Sequence, residues 1–132
     1  MKVRDIMKQA PVVIGETDTL GNAQDAMTMY KIRHLPVIDE GRLVGMLSER
    51  DLLVARAHCE PDDEWWKIPV HVAMQAPAQT AHPDDSLLEI AARMAADKLD
   101  ALPVVDRGHL LGILTVIDVL DAEVRSAMAA AP

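Results

Sequence analysis

Apolar runs in this chain are short, and they switch between strand and helix periods in a set order. Val12-Val13-Ile14 is a β-branched run and predicts a strand. Asp18-Thr19 then offers a helix cap, and Leu20, Ala23, Met27 and Tyr30 follow at helical spacing on one face. Leu35 to Ile38 returns to strand character. It is entered through Pro36, whose missing amide donor assigns it to a strand start or edge. Asp39-Glu40-Gly41-Arg42 predicts a hairpin turn with Gly41 at positive φ. Leu43 to Leu47 is the return strand, and Gly45 inside it predicts a bulge or the close approach of another backbone. Ser48 then caps a second helix that runs to Arg56.

The same program follows once more. Val3–Ala55 and Val70–Ala122 align without a gap at an offset of 67 residues. His34-Leu35-Pro36-Val37-Ile38-Asp39-Glu40-Gly41 answers to Ala101-Leu102-Pro103-Val104-Val105-Asp106-Arg107-Gly108. Leu43-Val44-Gly45-Met46-Leu47-Ser48 answers to Leu110-Leu111-Gly112-Ile113-Leu114-Thr115. Met7, Asp18, Leu20, Met27, Lys31, Asp51 and Leu53 recur as Met74, Asp85, Leu87, Met94, Lys98, Asp118 and Leu120. The second copy opens its first helix with a capping-box pattern, Ser86 to Glu89. A repeat of this kind arises where one unit cannot bury its apolar face alone and stacks on its copy.

The expected organisation is a first repeat over 1–56, a linker over 57–69, a second repeat over 70–126 and a tail over 127–132. Each half is near the size at which a lone core becomes marginal, so one compact module is expected. The fold class is α+β: two β-α-β-β-α repeats whose sheets face one another about a pseudo-twofold axis, with two related clefts between them. Trp65-Trp66, in a linker that is otherwise polar and acidic, is expected to bury, either pinning the linker to one half or lying at a subunit contact.

Composition narrows the partners. The 132 residues carry a formal net charge of −8 without a Lys/Arg block to offset it, which disfavours nucleic acid and anionic membranes. Phe is absent and aromatic residues make up 2 %, so Val, Leu, Ile, Ala and Met must build the core. The single cysteine, Cys59, cannot form an internal disulfide, and no stretch reads as a signal peptide or a bilayer span; the expected home is the cytoplasm. The five histidines, His34, His58, His71, His82 and His109, do not fall at the spacing of a structural zinc site, so metal ligands are not assigned. Neither a nucleophile-and-base set nor a phosphate-cradling glycine loop is visible, so catalytic residues are not assigned and the chain is not expected to be an enzyme.

The doubled pattern of Met, then Leu-Pro-Val-hydrophobic-Asp-x-Gly, then hydrophobic-Gly-hydrophobic-Leu-[Ser/Thr]-x-x-Asp resembles a tandem cystathionine-β-synthase (CBS) domain pair of the stand-alone bacterial type. The resemblance spans about nine-tenths of the chain and preserves both repeats in order. It implies a regulatory module that binds an adenosine-containing ligand (AMP, ADP, ATP, NAD(H) or S-adenosylmethionine) in the clefts between repeats. It also implies a homodimer that signals to an effector protein not identifiable from sequence. The adenine nucleotide would be a regulatory ligand, not a catalytic cofactor. The competing reading is a constitutive dimerisation or adaptor protein with non-functional pockets.

Residue by residue, the resemblance assigns Asp51 and Asp118 to the ribose hydroxyls. A carboxylate suits a vicinal diol because it accepts both protons. Ser48, Arg50, Thr115 and His34 are the phosphate candidates. The two hydroxyls start helices, where free amides and the dipole favour an anion, and Arg50 offers a bidentate guanidinium. Ser-x-x-Asp and Thr-x-x-Asp are equally ordinary helix caps, and the two roles are compatible. Val12, Val13, Ile32, Arg33, His34, Leu99, Asp100 and Ala101 are the adenine candidates; for Ile32 and Leu99 a plain core role stands beside ring contact. The cations Arg33, His34 and Arg50 favour the first-copy site for a phosphorylated ligand, whereas Asp100 and Ile117 stand at corresponding positions in the second. One departure from the family is the residue after the early Met, often Ser or Thr there but Lys8 and Gln75 here.

Overall fold

Two-residue turns set both hairpins. Glu40 and Gly41 have φ of 49° and 78°, and Arg107 and Gly108 have 52° and 81°. With both central residues in the left-handed region, the turn's twist matches that of the strands it joins. The computed structural model describes residues 1–132. In chain order it contains a 3₁₀ turn Val3–Asp5, β1 (Lys8–Gln9), β2 (Ile14–Gly15), α1 (Leu20–Tyr30), β3 (His34–Asp39), β4 (Arg42–Ser48), α2 (Glu49–Ala57) and a 3₁₀ turn Trp65–Lys67. α3 (Val70–Ala73), α4 (Leu87–Asp97), β5 (Ala101–Asp106), β6 (His109–Thr115) and α5 (Val116–Ala130) follow. The fold is α+β, and each repeat carries the β-α-β-β-α order.

The chain divides into two compact units that cut across the sequence repeats. One is Pro11–Ala78; the other joins Met1–Ala10 to Gln79–Pro132. The repeat over 1–56 thus contributes its first ten residues to the unit of the second repeat, and residues 70–78 pack with the first. The physical reason is strand pairing. β1 lies antiparallel on β6, with Lys8 opposite Ile113, and at the equivalent place Gln75 bridges to Met46 on β4.

In the unit Pro11–Ala78, β2 runs parallel to β3, which pairs antiparallel with β4. Leu20, Ala23 and Met27 of α1 pack on Leu35, Val37 and Leu47 of the hairpin, with Leu52 of α2 and Val70 of α3 completing the core. The ladder shifts register between Val37 and Ile38, opposite Gly45. A Cβ on Gly45 would lie 2.7 Å from Met74 Sδ and 2.9 Å from the Gln75 carbonyl oxygen, so the residue must be glycine for that backbone to come in. Both readings of Gly45, bulge and close approach, are realised.

The other unit follows the same plan: Ala81 bridges in parallel to Val104, β5 pairs antiparallel with β6, and β1 completes the far edge. Leu87, Ile90 and Met94 of α4 pack on Leu102, Val104 and Leu114, and Val3 is buried among them. Arg4 and Lys2 reach Asp84, tying the first residues to this unit.

Local expectations are met with some corrections. Thr19, Ser48, Ser86 and Thr115 cap α1, α2, α4 and α5. The box expected at Ser86–Glu89 is only half made, with the Glu89 amide donating to Ser86 Oγ at 3.4 Å, whereas Ser48–Asp51 and Thr115–Asp118 form the reciprocal pair. The strand expected at Val12 begins at Ile14. Pro36 is not at the strand's start but is its third residue, in a strand flanked on both sides; β2 pairs only from Val37 onward, so at Pro36 that side is still an edge. The tail 127–132 is helical as far as Ala130. Of the tryptophans, Trp65 packs against the core of its unit, with the Arg56 guanidinium 4.3 Å over its ring. Trp66 meets it edge-on and stays 47 % exposed, with its Cβ where a side chain on Gly21 would otherwise sit. No helix is long and apolar enough to cross a membrane.

Candidate functional site

The strand-to-helix junction after each hairpin gathers most of the candidate residues. β4 places Ser48 directly opposite His34, and the chain then turns into α2. Ser48 Oγ accepts the Asp51 amide at 3.1 Å, and Asp51 Oδ2 accepts the Ser48 amide at 2.8 Å. This reciprocal cap holds the carboxylate in one orientation. The Glu49 amide, free because it lies in the helix's first turn, donates to the Arg33 carbonyl at 2.8 Å. Arg33, His34, Ser48, Arg50 and Asp51 are therefore clustered by backbone geometry, with Arg33 and Arg50 exposed. Because β2 runs parallel to β3 with Ile14 opposite Val37, Val12 and Val13 enter from the same end of the sheet. Val12 and Ile32 are partly buried against the core, so for Ile32 the packing role is present; Val13 is exposed.

The second copy reproduces this arrangement. Ala101 stands opposite Thr115, and the Val116 amide donates to the Asp100 carbonyl at 2.9 Å. Thr115 Oγ1 accepts the Asp118 amide at 3.2 Å, while Asp118 Oδ2 accepts both the Thr115 amide and the Thr115 hydroxyl at 2.9 Å. Leu99 packs against the core of its unit, and Asp100 is exposed.

In both copies the cap takes one carboxylate oxygen, Oδ2, and the other meets a side chain that sequence reasoning did not place. Gln75 Nε2 donates to Asp51 Oδ1 at 3.1 Å. Lys8 Nζ lies 3.6 Å from Asp118 Oδ1. These are the two residues that stand where the family often has Ser or Thr. The signal that could have found them is the glycine before each hydroxyl: Gly45 and Gly112 each admit the backbone that carries Gln75 or Lys8.

Other candidates do not converge. His, Cys, Asp and Glu side chains nowhere gather in a group of three or more that could hold a metal. The Cys59 thiol donates to the Ala55 carbonyl.

The CBS domain pattern matches residues 3–58 and 70–125. The CBS domain-containing protein YhcV of Bacillus subtilis is 28% identical over 116 residues, covering 88% of this chain and 81% of that protein. The A-adding tRNA nucleotidyltransferase of Aquifex aeolicus is 31% identical over 123 residues, or 92% of this chain, yet the match spans only 14% of that enzyme. Among solved structures, CBSX2 in complex with AMP superposes with a TM-score of 0.85 at 27% identity, covering 96% of this chain and 98% of that one. The CBS domain pair of protein MJ0100, in complex with 5′-methylthioadenosine and S-adenosyl-L-methionine, superposes with a TM-score of 0.85 at 26% identity, with the same coverage of 96% and 98%. Family pattern, relatives and superposed folds agree with the doubled hairpin-and-cap plan, and the chain belongs to the CBS domain family.

Proposed function

We propose that this protein is a regulatory module that binds an adenosine-containing ligand and transmits its occupancy to a partner protein. The observation that carries this reading is the matched pair of capped carboxylates. Each aspartate is fixed through Oδ2 by its own helix cap and presents Oδ1 to an exchangeable side chain, Gln75 or Lys8. A ribose diol can replace that side chain on Oδ1 without disturbing the helix. Ser48 and Thr115, at the positive ends of the α2 and α5 dipoles, then favour the anionic group, and Arg50, Arg33 and His34 add donors in the first copy. AMP bound to CBSX2, and 5′-methylthioadenosine and S-adenosylmethionine bound to MJ0100, support adenosine as the common element.

Calorimetry and thermal shift with AMP, ADP, ATP, NADH and S-adenosylmethionine test it. A ligand at about a hundredfold over its dissociation constant adds about 2.7 kcal/mol of stability. Losing a charge-assisted bond costs roughly 1.5–3 kcal/mol. Asp51→Ala or Asp118→Ala should therefore weaken binding at its own site about tenfold or more. No shift with any ligand, or an unchanged shift in the double variant, refutes the proposal.

The competing reading, a constitutive dimeric adaptor, is favoured by an exposed apolar row on α5: Ile117, Leu120, Val124 and Met128. Exposed Leu53 and Val54 on α2 form a second apolar patch. We infer that these two apolar patches meet between copies and hold a homodimer under either reading. Sedimentation of Leu120→Asp should give a monomer where the parent gives a dimer; a parent that sediments as a monomer refutes it.

A further inference from the structure

The two carboxylates differ in charge environment, although their caps are alike. β1 presses against β6 where Gly112 has no side chain: a Cβ there would lie 2.6 Å from the Lys8 carbonyl oxygen. That fixes the Lys8 backbone opposite Ile113, and its ammonium reaches Asp118 Oδ1 at 3.6 Å. The Asp118 side chain is only 10% exposed, while Lys8 is 69% exposed, so the lysine is free to move and the aspartate is not. At Asp51 the equivalent partner is the neutral amide of Gln75. The Asp118–Lys8 pair carries no net charge; the Asp51–Gln75 pair keeps one negative charge.

This difference changes what each carboxylate favours as a ligand. A diol that takes Asp118 Oδ1 displaces the ammonium. An uncharged nucleoside then leaves Lys8 without its ion pair, and binding bears that loss. A nucleotide offers a phosphate near the first turn of α5, three residues from Asp118, and the flexible ammonium exchanges one anion for another. A displaced Gln75 amide gains little from a phosphate by comparison.

We propose that Lys8 is a specificity-determining residue that makes the Asp118 site select phosphorylated over uncharged adenosine ligands. This rests on Asp118 being a ribose-binding residue. It gives the second copy a phosphate-selecting cation that the sequence did not reveal there, because Lys8 comes from a segment 110 residues earlier in the chain.

The test compares AMP with adenosine by calorimetry in an Asp51→Ala background, where only the Asp118 site remains. Lys8→Gln should weaken AMP and leave adenosine unchanged or tighter, so that the preference for AMP falls about tenfold. Lys8→Arg should retain the preference, and added salt should shrink it. In an Asp118→Ala background, Gln75→Lys should raise the preference at Asp51. An AMP-to-adenosine ratio that Lys8→Gln leaves unchanged overturns this proposal and leaves the nucleotide-binding reading standing. If the parent protein binds neither AMP nor adenosine, this proposal falls, and the nucleotide-binding reading falls with it only when ADP, ATP, NADH and S-adenosylmethionine fail as well. Because Lys8 is exposed, its variants should melt with the parent, and that measurement separates lost recognition from lost folding.

Discussion

Placing a methyl group on Gly112 tests whether β1 is clamped to β6 as described. In Gly112→Ala the new Cβ would meet the Lys8 carbonyl oxygen at 2.6 Å and Met7 Sδ at 3.0 Å. The thioether can swing aside, but the carbonyl belongs to a strand and must move as backbone. Overpacking of this kind costs about 1–3 kcal/mol. Loosening one ladder hydrogen bond adds about 1 kcal/mol, for a sum of roughly 2–4 kcal/mol. Unfolding entropy of about 2.1 cal/mol/K per residue gives roughly 0.3 kcal/mol per degree for this chain, so the melting temperature should fall by about 7–15 °C. Scanning calorimetry reads this directly. Gly15→Ala is the control, because nothing lies within 4 Å of the position its Cβ would take. Gly45→Ala should fall between the two, since the Met74 thioether at 2.7 Å can swing aside and the Gln75 carbonyl at 2.9 Å is less crowded than the Lys8 carbonyl at 2.6 Å. If Gly112→Ala melts within about 2 °C of the Gly15 control, the close approach of β1 is wrong, and the Lys8 geometry fails with it.

The Arg4 side chain, hydrogen-bonded to Asp84 at 2.8 Å, holds that carboxyl below the ordinary value of 3.8. A depressed carboxyl stabilises the fold fully above its unfolded pKa, and the contribution vanishes as pH falls through the lower folded value. Arg4→Ala should therefore destabilise the protein near neutrality, and the gap to the parent in urea unfolding should close in strong acid; a gap that persists there excludes the ion pair as its source. Ser48→Ala should cost about 1 kcal/mol as a lost cap. Thr115→Ala should cost more, because the Thr115 hydroxyl also donates to Asp118; equal costs in chemical denaturation would contradict that second bond. Trp65→Ala should lose about 3 kcal/mol, the low end for a tryptophan because the ring is only partly buried against the core, whereas Trp66→Ala should lose little; similar losses would mean that the two rings are not packed as observed.

Local chemistry was the readable part of this fold. Gly41 and Gly108 announce tight turns because a left-handed backbone suits glycine, and Ser48 and Thr115 announce helix starts because their hydroxyls satisfy free amides. The 67-residue offset shows that the halves are alike, but it does not say which half each segment packs on. Met7-Lys8 and Met74-Gln75 occupy equivalent places, and either could in principle pair with either returning strand; only three-dimensional pairing decides. For the same reason Lys8 and Gln75 read as departures from a family pattern, when each reaches a carboxylate far away in sequence. Pro36 keeps the edge that its missing amide requires although β3 is flanked on both sides, because β2 is just two residues long and pairs only from Val37 onward. Arg93 left no signal at all: its guanidinium turns back to the Thr80 carbonyl at 2.5 Å, a contact that neither helix periodicity nor charge count anticipates.

The crossing of repeat and unit boundaries also sets an order of assembly. Pro11–Ala78 is one uninterrupted stretch, and every strand it needs has been synthesised before residue 79 is added. Its companion is built from both extremities of the chain, so Val3, buried in the finished protein, must wait in solvent until the last hairpin emerges to cover it. A nascent chain halted midway therefore holds all the residues of one unit and only the opening segment of the other.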